Sequence, residues 1–380
     1  MRRPRLKAPD HLPVAYYHCV SRVVNRDFVL GPAEKERFLS LMRLYEAFGG
    51  LRVVALCVMS NHFHVLVEVP KRPADAELPD DAGLVAHVRG TLGGKVADGL
   101  EWELKHLREA GAGAAADALR ERWLARMWDV SAFMKTVKQR FTQWFNRRHR
   151  RRGTLWEERF RSVLVEGKGP ALRAMAAYIE LNPVRAGICE DPKDYRWSSH
   201  GEAVSGGRRG RSAREILRWL VSDDRGMRAA PPSASGPATA RAARAAPTDR
   251  PWPSGEEALS RWRCVLFGLP AGERGRAEEL AKDPEAARVG RRGLSREKAL
   301  EVLASGGRLA APDYLRCRVR YFSDGVALGT RDFVEGIFAA CRGRFPPGRK
   351  KGAHRLRGLE AGEKPERLYN LRQLRKDVFG

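Results

Sequence analysis

The stretch "RVVALCVMSNHFHVLVEVP", residues 52–70, decides how the chain is read. Its two apolar runs, 52–60 and 62–70, are rich in Val and Leu and are separated by Asn61. They predict two adjacent strands, closed by Pro70. Inside the second run His62 and His64 stand one residue apart. Successive side chains of a strand alternate faces, so both imidazoles share one side with Phe63 opposite. Two imidazoles on one face can hold one metal ion. Taken alone, the spacing fits a pair of structural histidines equally well, and imidazole suits zinc and other transition ions better than magnesium.

Working outward, "VAYYHCVSRVV" (14–24) is β-branched and aromatic and predicts a strand. "GPAEKERFLSLMRLYEAFGG" (31–50) opens with Pro and acids, carries apolar residues at helical spacing and ends in Gly-Gly. It predicts an amphipathic helix. "SAFMKTVKQRFTQWFNRRHRRR" (131–152) predicts a helix with Phe133, Val137, Phe141 and Phe145 on one face and a basic end. "TLWEERFRSVLVE" (154–166) fits a strand or ribbon, and "PALRAMAAYIELN" (170–182) a helix begun by Pro170 and stopped by Pro183. Non-local strands around two or three helices give an α+β domain on the split βαβ, ferredoxin-like plan, an antiparallel sheet with helices, over residues 1–200. Residues 71–127, polar and then Ala-rich, read as an insertion. Residues 201–256, rich in Gly, Ser, Pro, Ala and Arg, read as a flexible basic linker with one helical stretch at 212–221. Residues 257–380 are expected to be mainly α-helical. There "SDGVALGTRDFVEGIFAACRGRF" (323–345) resembles the second half of a helix-turn-helix, with a generic helical bundle as the competing reading.

The composition narrows the function. Lys and Arg number 71 against 46 Asp and Glu, a formal charge of +25, and the arginines cluster at 147–152, 206–211, 316–320 and 348–357. Such an excess attracts a polyanion, above all nucleic acid. No apolar run approaches the roughly 18 residues of a membrane span, so no membrane partner is expected. The basic start "MRRPRLKAPDHLP" lacks the apolar segment of a signal peptide. The six cysteines form no CxxC pair. Free thiols in a cytoplasmic, nucleoid-associated protein are expected.

A second constellation, "AYIELNP" (177–183), places Tyr178 and Asn182 four residues apart, on one helix face. A phenol there could attack phosphorus while the Asn182 carbonyl supplies a hard ligand. The plain alternative is a core tyrosine and a helix-ending asparagine. Among the basic residues, Arg147, Arg148, Arg150, Arg151, Arg152, Arg159 and Arg161 could neutralise backbone phosphates. Trp144 and Trp156 could stack on unpaired bases, although Trp156 also suits a core. His18 reads as structural, and Glu68 shares the face of His62 and His64.

"YYHCVSR", "LCVMSNHFHVLVEVP", "FTQWFNRRHRRRGTLWEERFRS" and "YIELNPVRAG" resemble, in that order, segments of the REP-associated tyrosine transposases, one-tyrosine members of the HUH single-strand DNA transposase superfamily. The resemblance covers roughly residues 10–200 without most of 71–127. It implies a ferredoxin-like nuclease fold, His62 and His64 as the HUH pair, Tyr178 as nucleophile and Asn182 as third ligand. The implied cofactor is Mg2+ or Mn2+. The implied partner is single-stranded DNA beside a hairpin formed by a repeated extragenic palindrome, cut and rejoined by a monomer or homodimer through a 5′-phosphotyrosine. Two other classes compete. One is a domesticated, non-catalytic nucleic-acid-binding regulator, and the other a metallohydrolase that activates water. The insertion and everything beyond about residue 201 depart from the family pattern.

Overall fold

The computed structural model describes residues 6–167, 170–222, 253–267, 322–356 and 367–372, together with residues 300, 304, 309, 314 and 315. Most of the expected linker, most of the run "SREKALEVLA" and all of "RCRVR" lie outside the described residues.

Strand β1 (Val14–Arg22) leads into α1 (Pro32–Gly49), then β2 (Arg52–Val58) and β3 (His62–Pro70). Helix α1 forms as its termini dictate. Pro32 supplies the fixed φ of a first turn, and Gly50, at φ 63°, closes the last turn on the carbonyls of Ala47 and Glu46. After residues 71–127 come α5 (Val130–Arg148), β4 (Arg161–Val165) and α6 (Pro170–Glu180). The sheet runs β2-β3-β1-β4, all neighbours antiparallel, with β1 facing β3 from Val14↔Pro70 to Arg22↔His62. This is the expected split βαβ order, in which each βαβ unit receives a strand of the other between its own two. The α+β class is borne out.

Alternation sends the two sides of each strand into different cores. Cys19, Phe63, Val65 and Val67 pack with Phe38 of α1 and Phe141 of α5. Tyr16 and Leu66 face the other way, against Met175 and Ile179 of α6 and Trp219. Residues 71–127, read as an insertion from the sequence, contain three helices, α2 (Asp81–Leu92), α3 (Gly94–Glu109) and α4 (Gly113–Leu124), whose Leu84, Leu100, Leu104 and Leu119 join the α1–α5 core.

Three findings depart from the expectations. Pro183 does not stop a helix at 182: α6 ends at Glu180, and a further turn, α7 (Asn182–Arg185), carries Pro183 where its missing N–H costs nothing. Residues expected to be irregular after 200 form α8 (Ser199–Ser205), capped by the Ser198 hydroxyl, and the helix expected at 212–221 starts five residues earlier, as α9 (Gly207–Leu220). Finally, the carboxy-terminal part is not only helical. The helix Gly255–Phe267 packs on α9, but β5 (Gly325–Gly329) pairs parallel to β4, and β7 (Tyr369–Arg372) and β6 (His354–Arg355) continue the sheet. The expected turn before "TRDFVEGIFAACR" is therefore strand β5, followed by the helix Arg331–Ala340. Short Gly-containing segments of this kind become strands only when an edge, here that of β4, offers unpaired backbone groups. Among the described residues, no helix is long and apolar enough to cross a membrane.

Candidate active site

Strand β3 places His62 and His64 on the side that faces α6, with ring centroids 5.2 Å apart. The turn following α6 brings Asn182 to them. Its side-chain amide nitrogen lies 3.1 Å from Nε2 of His62. An amide nitrogen only donates, so this Nε2 accepts, and the proton of His62 sits on Nδ1, 2.6 Å from Oδ1 of Asn61. Tyr178 lies one turn before Asn182. Its ring meets that of His64 edge-on at 6.2 Å between centroids. The four residues expected to form one site are thus together, on one side of the sheet.

His64 is buried, and its Nδ1 is 2.9 Å from Nε2 of His18. His18 Nδ1 in turn lies 2.7 Å from the backbone carbonyl of Phe322. Burial holds both imidazoles neutral. It pulls His18 down to about 4 despite the Phe322 hydrogen bond, with Arg185 adding a smaller push. Burial lowers His64 well below its ordinary value too, reinforced by His18, His62, Arg185 and Arg22. A neutral imidazole with a free lone pair is what a metal ion requires.

Tyr178 is only 4% exposed. Phe322 stacks on its ring at 4.7 Å and 14°, and the Arg185 guanidinium carbon stands 4.0 Å from the ring centroid. Arg185 is fixed by donating to the carbonyls of Tyr178 (2.6 Å) and Leu315 (2.9 Å). Neither Arg185 nor Phe322 was singled out from the sequence. Arg185 sits inside the quoted "YIELNPVRAG", one turn beyond Asn182 and two beyond Tyr178, and that spacing could have revealed it. Arg22, directly opposite His62 in the β1–β3 register, needed the strand pairing to be known.

The other expected site residues scatter. Arg161 faces Val20, which faces His64, so the three form one row across the sheet; Arg161 also pairs with Asp324 at 3.4 Å. Trp144 and Arg147 lie on α5, across the sheet from His64, in a groove with Trp123, Arg126 and Arg140. At the end of α5, Arg148 pairs with Glu34 at 3.4 Å and Arg151 donates to the Thr154 carbonyl. Arg150 and Arg152 are exposed, as is Arg159. Trp156 is a correction. It is buried among Phe38, Phe63 and Phe141, with its indole N–H donated to the Lys138 carbonyl, so protein covers the faces expected to stack on bases. Glu68 is also away from the histidines, buried four residues further along β3 in an ion pair with Arg52.

Among the described residues no three His, Cys, Asp or Glu side chains stand close enough to hold an ion. The expected ligands are two imidazoles and a carboxamide, and Asn182 turns its amide nitrogen rather than its oxygen to His62.

The family model described as "Transposase IS200 like" matches residues 12–76, from the entry to β1 through β3. The match includes His62 and His64 and ends before Tyr178 and Asn182. The family resemblance expected from the sequence is borne out over that stretch. No curated protein matches the chain. A solved structure of a REP-associated tyrosine transposase bound to a REP hairpin is similar at 15% identity and a TM-score of 0.32, over 54% of this chain and 84% of that one.

Proposed function

We propose that the chain cleaves and rejoins single-stranded DNA beside a hairpin, through a covalent link to Tyr178. The observation that carries this reading is the convergence of Tyr178, His62, His64 and Asn182 on one face of the sheet, within the contact distances given above. A protein that only bound nucleic acid would have no use for a phenol beside two proton-free imidazole nitrogens.

In this reading the Asn182 carboxamide turns over, so that its oxygen replaces the nitrogen now donated to His62 and joins the Nε2 atoms of His62 and His64 in holding Mg2+ or Mn2+. The bound cation would polarise the scissile phosphate and offset the charge that develops on its non-bridging oxygens. The Tyr178 oxygen attacks phosphorus as its proton leaves for solvent. A Tyr–O–P bond forms, the P–O3′ bond breaks, and the departing oxygen takes up a proton to become a 3′-OH. One phosphodiester replaces another, so rejoining needs no nucleotide hydrolysis. Arg22 and Arg161 flank the histidines on β1 and β4 and would hold neighbouring phosphates. Arg185 and Phe322 keep the Tyr178 ring from turning.

The test is a labelled single-stranded hairpin substrate incubated with Mn2+ and resolved on a denaturing gel. The reading expects a covalent adduct that disappears in Tyr178→Phe. Cleavage without an adduct would point to a metallohydrolase, and binding without cleavage to a regulator.

A further inference from the structure

The two hydrogen bonds that end on His64 run in one direction only. A backbone carbonyl cannot donate, so at Phe322 the proton must be on His18 Nδ1, 2.7 Å away. His18 is fully buried and has a single ring proton, so its Nε2 carries a lone pair. The contact of 2.9 Å between that atom and His64 Nδ1 then needs its proton from His64. The one proton of His64 is thereby committed to Nδ1, and Nε2 is left bare. The two rings lie nearly parallel, at 13°, with centroids 5.1 Å apart, and turning either over would break its nitrogen contact to the other.

We propose that the Phe322 carbonyl, acting through His18, sets the tautomer of His64 and so prepares its Nε2 for a divalent cation. His18 is a positioning residue. The carboxy-terminal segment, far outside the family resemblance, is then a working part of the site. The same segment supplies the Phe322 ring on Tyr178 and the Leu315 carbonyl under Arg185. Imidazoles that bind metals generally have their second nitrogen held in this way, and loss of the holding group weakens metal binding about 10- to 100-fold. The proposal rests on the reading of His64 as a metal ligand.

The test uses the full chain with 15N-labelled histidine. In the metal-free wild type, long-range 1H–15N correlation should show His64 protonated on Nδ1; protonation on Nε2 overturns the proposal without any variant. In His18→Leu the acceptor is gone, and His64 should populate the Nε2–H form while Mn2+ affinity falls about 10- to 100-fold. His18→Gln keeps an acceptor towards His64 and should restore most of that affinity, a rescue that filling space alone would not give. Equal Mn2+ affinity and an unchanged His64 tautomer in His18→Leu overturn the proposal alone. Mn2+ that broadens neither the His62 nor the His64 signals in the wild type overturns the functional reading, and the proposal with it.

Discussion

The two sides of the sheet are built from the same strands and bury very different things. Towards α1 and α5 the strands point Phe63, Val65 and Val67 into a layer of Phe38, Phe141 and Trp156. Towards α6 and α9 they also bury His18, His64, Arg52 and Glu68, and Glu180 and His200 lie among the helices covering that side. The first side gains mainly from hydrocarbon burial, with Ser21 of β1 and Lys138 of α5 as buried polar groups beside the phenylalanines. On the second, every buried polar group costs desolvation that only a partner offsets. A fold carries such costs where position matters more than stability, as at a site that holds an ion or a nucleophile.

Substitutions on the polar side should therefore separate chemistry from stability, and those on the apolar side should not. Tyr178→Phe should lower adduct formation by about 10^3-fold or more while leaving the melting temperature and hairpin affinity near wild type. A gel shift and a melting curve on one preparation check both. His62→Ala should weaken Mn2+ binding by about 10- to 100-fold, read by titration calorimetry, with little change in stability because His62 is only half-buried. On the apolar side, Phe38→Ala should cost about 3–5 kcal/mol in denaturant unfolding, from a fully buried ring lost between Phe63 and Phe141.

Arg52→Met probes the polar side away from the site. It takes the guanidinium away from the buried Glu68 carboxylate, at a cost of about 3–5 kcal/mol, whereas the double change with Glu68→Leu should recover most of it. If the single and double variants are equally unstable, the pair is not what that side must compensate.

The smallest effect is a pH dependence. Burial pulls His200 down to about 4, and neither ring nitrogen has a hydrogen-bond partner among the described residues. In the unfolded chain it would protonate below about 6.5, so there the unfolded state takes up a proton that the fold refuses. Its contribution is flat above pH 6.5 and falls as the pH drops towards 4. His200→Leu should remove about 2 kcal/mol of the stability lost between pH 7 and 5. Parallel stability curves for wild type and variant over that range would refute it.

The early part of the fold was legible because its signals are local. Runs of apolar, β-branched and aromatic residues mark β1, β2 and β3, and Pro32 with Gly49–Gly50 brackets α1 within a residue of its observed ends. Strand and helix periodicities put His62 with His64 and Tyr178 with Asn182, and the family resemblance, not the spacing, singled the four out as one site. Trp156 could not be settled that way. A tryptophan in a ribbon suits a base or a core equally, and only the ring of phenylalanines around it decides.

The sequence by itself determined which residues share a face, since period 2 and period 3.6 are properties of the backbone. It could not determine what meets that face. His18 looked like an ordinary strand residue, and the carbonyl that orients it comes from 304 residues away. A backbone acceptor has no residue type to betray it, and "SDGVALG" becomes a strand only because β4 leaves an edge unpaired. Tertiary structure alone decided that the carboxy-terminal segment reaches the histidines, because that contact depends on pairing and packing rather than on any local pattern.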